Sequence, residues 1–189
     1  RTITREGTRA RREHGLAVIP EDRNRQGLSL PSTLSENLIA TRYQAAPFSR
    51  LGLLVPGEIR RFAQRAIHAF DVRVRGPNVA VKTLSGGNAQ KVVVARELAQ
   101  PPTVLIAAQP TRGLDVGATQ FVHNELLRLR EQQTAILLIS ADLDELLALS
   151  DRLLVIFEGA LAGELDRSQA TRERLGLLMA GRAGAELHA

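Results

Sequence analysis

The chain has 189 residues, 44% hydrophobic and 24% charged, the balance of a globular domain with a core of its own. It has no cysteine, which excludes disulfides and thiolate metal sites, and no run approaches the roughly eighteen apolar residues that cross a bilayer. The net charge of +5 comes almost entirely from arginine, while aromatics make up only 3%, so a base-stacking nucleic-acid platform is not expected.

The basic stretch RTITREGTRARRE, residues 1–13, reads as a solvated helical face rather than a nucleic-acid patch. The segment LAVIP, residues 16–20, is a short buried strand halted by Pro20, and EDRNRQGLSL follows as a polar loop turning at Gly27. Thr33 with Glu36 three residues on forms a capping box that opens a helix over 34–41. After the breaker-rich connection AAPFSRLGLLVPG, Pro56 starts a helix to about 70, with Ile59, Phe62, Ala63, Ala66 and Ile67 on its apolar face. Gly86 and Gly87 open a further helix whose face is Val92, Ala95, Leu98 and Ala99. From Pro101 the pattern alternates: strand 103–108, helix 117–131, strand 135–140, short helix 142–148 and strand 152–157, an order that predicts parallel pairing. The unbroken apolar run Val104, Leu105, Ile106 is that of a strand covered on both faces. FEGALAGEL predicts a hairpin turning at Glu158 and Gly159, and a last helix covers 168–180 ahead of a frayed tail. The four histidines, His14, His68, His123 and His188, lack metal-ligand spacing, so no metal site is expected.

The most specific signal is LSGGNAQK, residues 84–91. Two glycines at a helix start leave backbone N–H groups free at the positive end of the dipole, and Ser85 adds a hydroxyl donor, so the segment suits an anion. This run resembles the signature motif of ABC-type ATPases, with Asn88 where glutamine is usual. Further similarities follow in the family's order. IPEDR (19–23) resembles the Q-loop region, with Glu21 at or near the glutamine position. VLIAAQPT (104–111) resembles the Walker B strand, GLD (113–115) the D-loop with Asp115, and LLISADLDELLALSDRLLVIFEG (137–159) the switch region. Together with GLLMAG, these are similar to the second, C-terminal nucleotide-binding domain of simple-sugar and nucleoside importers.

The departures from that pattern are specific. No G-x-x-x-x-G-K-[ST] loop occurs. The resemblance places the Mg²⁺-supporting aspartate on Ala108, the catalytic glutamate on Gln109 and the switch histidine on Ala141. A methyl group gives the metal no oxygen, and an amide is no base, so these are read as degenerate positions. Asp142, Asp144 and Glu145 lie near in sequence, with a displaced acid and solvated helix-start acids as the two readings.

The resemblance therefore implies an α/β fold, a partial P-loop ATPase core with a mainly parallel sheet at 1–30 and 100–165. An inserted ABC-type helical subdomain with the signature motif would occupy 31–99, and a C-terminal helix and tail 166–189. The chain begins at Arg1 within structured-looking sequence, which gives the expectation of a piece of a longer protein starting after its Walker A region. ATP and Mg²⁺ are the cofactors implied for the intact protein, with none expected on this chain, which alone is expected to be inactive. Leu84, Ser85, Gly86, Gly87 and Asn88 would serve a partner domain's ATP site in trans. The implied partners are that other nucleotide-binding domain and membrane permease subunits, at the cytoplasmic face of the cell membrane. Self-association through apolar sheet surface is a further expectation. Two other readings stand beside this one: a soluble ABC-type ATPase acting on nucleic acid or ribosomes, and a regulatory nucleotide-sensing module.

Overall fold

The computed structural model describes residues 2–181, which form two compact units, one ending at Ile139 and one beginning at Ser140. The first unit opens with helix α1 (Thr8–Glu13) and strand β1 (Leu16–Ile19). A π-turn follows over Arg23–Gly27, held by the Asp22 carboxylate, which accepts from the Asn24 and Arg25 N–H groups. The expected polar loop thus has a defined shape. Helix α2 (Leu34–Ile39) starts on the capping box: Thr33 Oγ1 accepts from Glu36 N, and Thr33 N donates to Glu36 Oε2 at 2.7 Å.

The breaker-rich connection contains a small hairpin, β2 (Ser49–Arg50) and β3 (Leu53–Leu54), that periodicity did not reveal, because two-residue strands have no period. Helix α3 (Pro56–Ala69) buries Ala63 and Ala66, and its Phe62 meets Phe48 edge-on at 5.0 Å. Helix α4 (Gly86–Leu98) is buried along Val92, Val93, Val94 and Ala95 alike, so the expected single face is too narrow. It packs against β1, α2, α3 and helix α5 (Val116–Glu131), and a helix enclosed this way needs apolar residues all round.

Strands β1, β4 (Val104–Ala108) and β5 (Ala135–Ile139) form a parallel sheet in the order β1-β4-β5. Its strands are not covered on both faces. Ala17, Ile19, Leu105 and Ala107 are buried, whereas Val104, Leu137 and Ile139 on the other face are exposed. Helices α4 and α5 close one side, so burial alternates along an unbroken apolar run.

The basic stretch at 1–13 is only partly a solvated face. Helix α1 buries no residue, but Arg12 turns inward to the fully buried Glu97, which also pairs with Arg96 and accepts from the Val18 N–H.

The second unit contains α6 (Leu143–Leu149), β6 (Arg152–Phe157), β7 (Ala160–Asp166) and α7 (Arg172–Met179). Leu153, Val155, Leu165, Ala170 and Leu175 form its core. The parallel pairing expected of residues 152–157 is not found: β6 pairs with β7, antiparallel. The reason is local, since Glu158 and Gly159 both adopt positive φ and turn the chain straight back. That hairpin was the one expected. The last helix is preceded by a 3₁₀ turn (Arg167–Gln169) and capped by Thr171. Most of the tail expected to fray, and His188, lie outside the described residues.

Candidate functional site

In the first unit, three segments meet around the start of α4, beyond the C-terminal ends of β1 and β4. Ser85 is the N-cap of α4, and its Oγ accepts from the Asn88 backbone N–H and from Asn88 Nδ2 at 3.0 Å. The hydroxyl proton of Ser85 is left to donate outward. Asn88 Oδ1 in turn accepts from the Arg73 N–H at 2.8 Å, so Asn88 ties the helix start to the preceding loop. Ser85 and Gly86 are exposed, and the leading N–H groups of Gly86 and Gly87 have no intrahelical acceptor. The sequence-predicted segment 84–88 is thus presented as a helix N-terminus open to an anion.

The loop after β4 is clamped to that helix start. Gln109 sits at φ 47°, an uncommon conformation for a side-chain-bearing residue, and its N–H donates to the Ile139 carbonyl at 2.7 Å. The buried Gln90 donates from Nε2 to the Pro110 carbonyl at 2.7 Å. Asp115 caps α5, accepting from the Ala118 N–H at 2.8 Å, and its carboxylate lies beside Gly87. A Cβ on Gly87 would stand 3.0 Å from the Ala118 Cβ, so glycine is what lets α4 and α5 approach here.

The segment after β1 completes the arrangement. Glu21 pairs with Arg112 at 2.6 Å, and Arg23 donates to the Arg112 carbonyl at 2.8 Å while its Nη2 reaches toward Gly86. The structure therefore brings together Glu21, Ser85, Gly86, Gly87 and Asp115. Gln90 and Arg23 also join the site, though sequence reasoning did not single them out. Both stand inside quoted motifs, but nothing in their spacing shows that they reach a loop some twenty and ninety residues away.

Ala108 ends β4 beside Ile139 and offers only a methyl group. Ala141 belongs to the second unit, where the acids near it have other work. Asp142 caps α6 through the Asp144 and Glu145 N–H groups, Asp144 pairs with Arg172, and Glu145 is buried rather than solvated. No group of acids, histidines or cysteines suited to a metal ion occurs among the described residues. Farther along α4, Lys91 donates to the Asp71 carboxylate at 2.7 Å, and that hydrogen bond holds the carboxyl below its ordinary range.

The fold is that of an ABC ATPase cassette. A dimeric bacterial ABC transporter cassette matches with a TM-score of 0.68 at 24% identity, covering 85% of this chain and 66% of that one. A nucleotide-free ATP-binding cassette from an ABC transporter matches at 0.69 and 21%, covering 88% and 66%. In sequence, the chain is similar to one region of the ATP-binding proteins of nucleoside and sugar importers. It is 45% identical over 169 residues to the guanosine import ATP-binding protein NupO of Bacillus subtilis, covering 89% of this chain and 33% of that protein. It is 42% identical over 179 residues to the nucleoside import ATP-binding protein NupA of Lactococcus lactis, covering 95% and 35%. The chain spans about a third of the length of these relatives. No family model matches it.

Proposed function

We propose that this chain supplies its signature segment, residues 84–88, to an ATP site whose phosphate-binding loop belongs to another nucleotide-binding domain, within an importer for nucleosides or simple sugars. The observation that carries the reading is the exposed start of α4, locked to the loop after β4 by Gln90, Arg23 and Asp115. A nucleotide phosphate fits this segment: the Gly86 and Gly87 N–H groups donate to its oxygens, Ser85 adds its hydroxyl, and the helix dipole favours the charge. None of these groups has to move, so the positioning is paid for in folding rather than at each turnover. ATP would supply the phosphoryl group and its free energy when bound.

Mg²⁺ does not fit the end of β4. Ala108 has no oxygen to give, and Gln109 presents a neutral amide that can orient water without taking its proton. Asp115 uses its carboxylate to cap α5. We read the chain's own hydrolytic position as degenerate and its signature as working in trans, with Asp115 and Arg112 coupling the two functions and Ala141 replacing the switch side chain. In this reading residues 31–99 are the helical subdomain, and 1–30 with 100–165 form the ATPase core. The partners are a second nucleotide-binding domain and permease subunits at the cytoplasmic membrane face, and Glu21 with the neighbouring loop lies toward the permease.

The test is ATP turnover by the assembled transporter. Ser85→Ala lowers it by roughly a hundredfold to a thousandfold, the range seen for a lost oxyanion donor, while Gln109→Ala changes it by less than about twofold. Abolition by Gln109→Ala would show a working site at the end of β4 and sink the reading.

A further inference from the structure

A cavity of about 560 Å³ opens in the first unit, at the opposite end of the parallel sheet from the signature segment. It lies between α1, the start of β1, the end of α2 and the end of α4. Arg9, Arg12, Arg42 and Arg96 line it with two carboxylates, Glu13 and Glu97, an excess of two positive charges. Three of the four guanidiniums have carboxylate partners: Arg9 pairs with Glu13 at 2.9 Å, and Arg12 and Arg96 share Glu97 at 2.7 and 2.9 Å.

Arg42 differs. Its contacts are a 3.3 Å hydrogen bond to the Arg96 carbonyl and the face of Phe62, 5.8 Å from its guanidinium carbon. Burial holds its pKa below the ordinary arginine value, against the opposing pull of Glu97. A half-buried cation without a carboxylate of its own carries a desolvation cost, and an incoming anion offsets it. The wall beside it is mixed, with Tyr43, the exposed Pro101 and the buried Pro102 among its lining residues. The volume is that of a small-molecule site and exceeds what one free phosphate fills.

We propose that this cavity binds a small organic anion carrying a phosphate group, with Arg42 as its main ligand and Arg12 beside it. A phosphate monoester carries about −1.5 to −2 at neutral pH, which matches the excess positive charge, and guanidinium offers it paired N–H donors. The organic part lies along Tyr43 and the prolines. The site is independent of the signature segment: the cavity meets the first residues of β1 and the residues just before β4, whereas the signature segment meets the loop after β4.

Calorimetric titration of the chain with glucose 6-phosphate, inorganic phosphate and glucose tests this. Saturable binding of glucose 6-phosphate, weaker binding of inorganic phosphate and none of glucose are expected. Arg42→Gln should weaken the sugar phosphate by at least about tenfold, the loss of one charge-assisted hydrogen bond, while Arg50→Gln outside the cavity leaves it unchanged. Backbone amide shifts in the unmodified chain give a second readout and should fall at Arg42, Tyr43 and Gln100. Equal affinity for inorganic phosphate would overturn the organic part of the assignment. No saturable binding, binding indifferent to Arg42→Gln in a folded variant, or shifts at Gly86 and Gly87 instead would overturn the site.

Discussion

Gly86 and Gly87 are adjacent and chemically identical, yet their surroundings make different demands. A methyl group on Gly86 meets only the far end of the long Arg23 side chain, which can give by a few tenths of an ångström, while one on Gly87 meets the Ala118 Cβ at 3.0 Å, fixed to the backbone of α5. Gly86→Ala is therefore expected to leave stability unchanged within about 0.5 kcal/mol. Gly87→Ala should lose about 1–3 kcal/mol as α4 and α5 are forced apart, outweighing the roughly 1 kcal/mol that alanine gains in a helix. Urea midpoints of the two variants make the comparison. The motif itself was legible, because Ser85, Gly86 and Gly87 stand together in the sequence. The clamp behind it was not: Gln90 and Arg23 are ordinary polar residues until the fold turns them onto the carbonyls of Pro110 and Arg112. Arg12 was equally hidden, since a basic run does not show which of its members reaches a buried glutamate.

Elements with long periods or definite caps were read well, and short or enclosed ones were not. The capping box located α2, and the paired glycines located the start of α4. The β6–β7 hairpin followed from its turn, but the same alternation of elements wrongly extended parallel pairing to β6. The turn is also open to improvement. Glu158 is held at φ 49°, where its Cβ is strained, and is followed by Gly159 at φ 79°. Asparagine tolerates this conformation better, so Glu158→Asn should stabilise the second unit by about 0.5–1 kcal/mol. Thermal melting of the variant checks it, and an unchanged or lower midpoint would show that strain at the turn does not limit the hairpin.

Across the whole chain, apolar surface is unevenly covered. Leu137 and Ile139 on β5 are about half exposed, and β5 pairs with β4 alone among the described strands. We predict concentration-dependent self-association through this face, which sedimentation velocity would detect. Ile139→Lys should weaken it by roughly tenfold or more, the loss from one buried aliphatic side chain. If the variant associated as the parent does, another surface would be responsible.

The pairing of Leu16 with Val104 and of Arg152 with Asp166 sets two very different clocks. The first contact waits for the chain to reach position 104, on the order of 4–18 s of synthesis at usual rates after position 16 is made. The hairpin of the second unit needs only the residues just before it and closes in microseconds once they exist. For the seconds between synthesis of position 16 and of position 104, β1 therefore lacks its partner β4. Its apolar residues must be shielded by the ribosome tunnel, a chaperone or the growing α4 until β4 arrives. Protease nicks near residues 16–19 in stalled nascent chains should fall sharply once stalling is moved beyond β4, and equal nicking on both sides of that point would refute the delay.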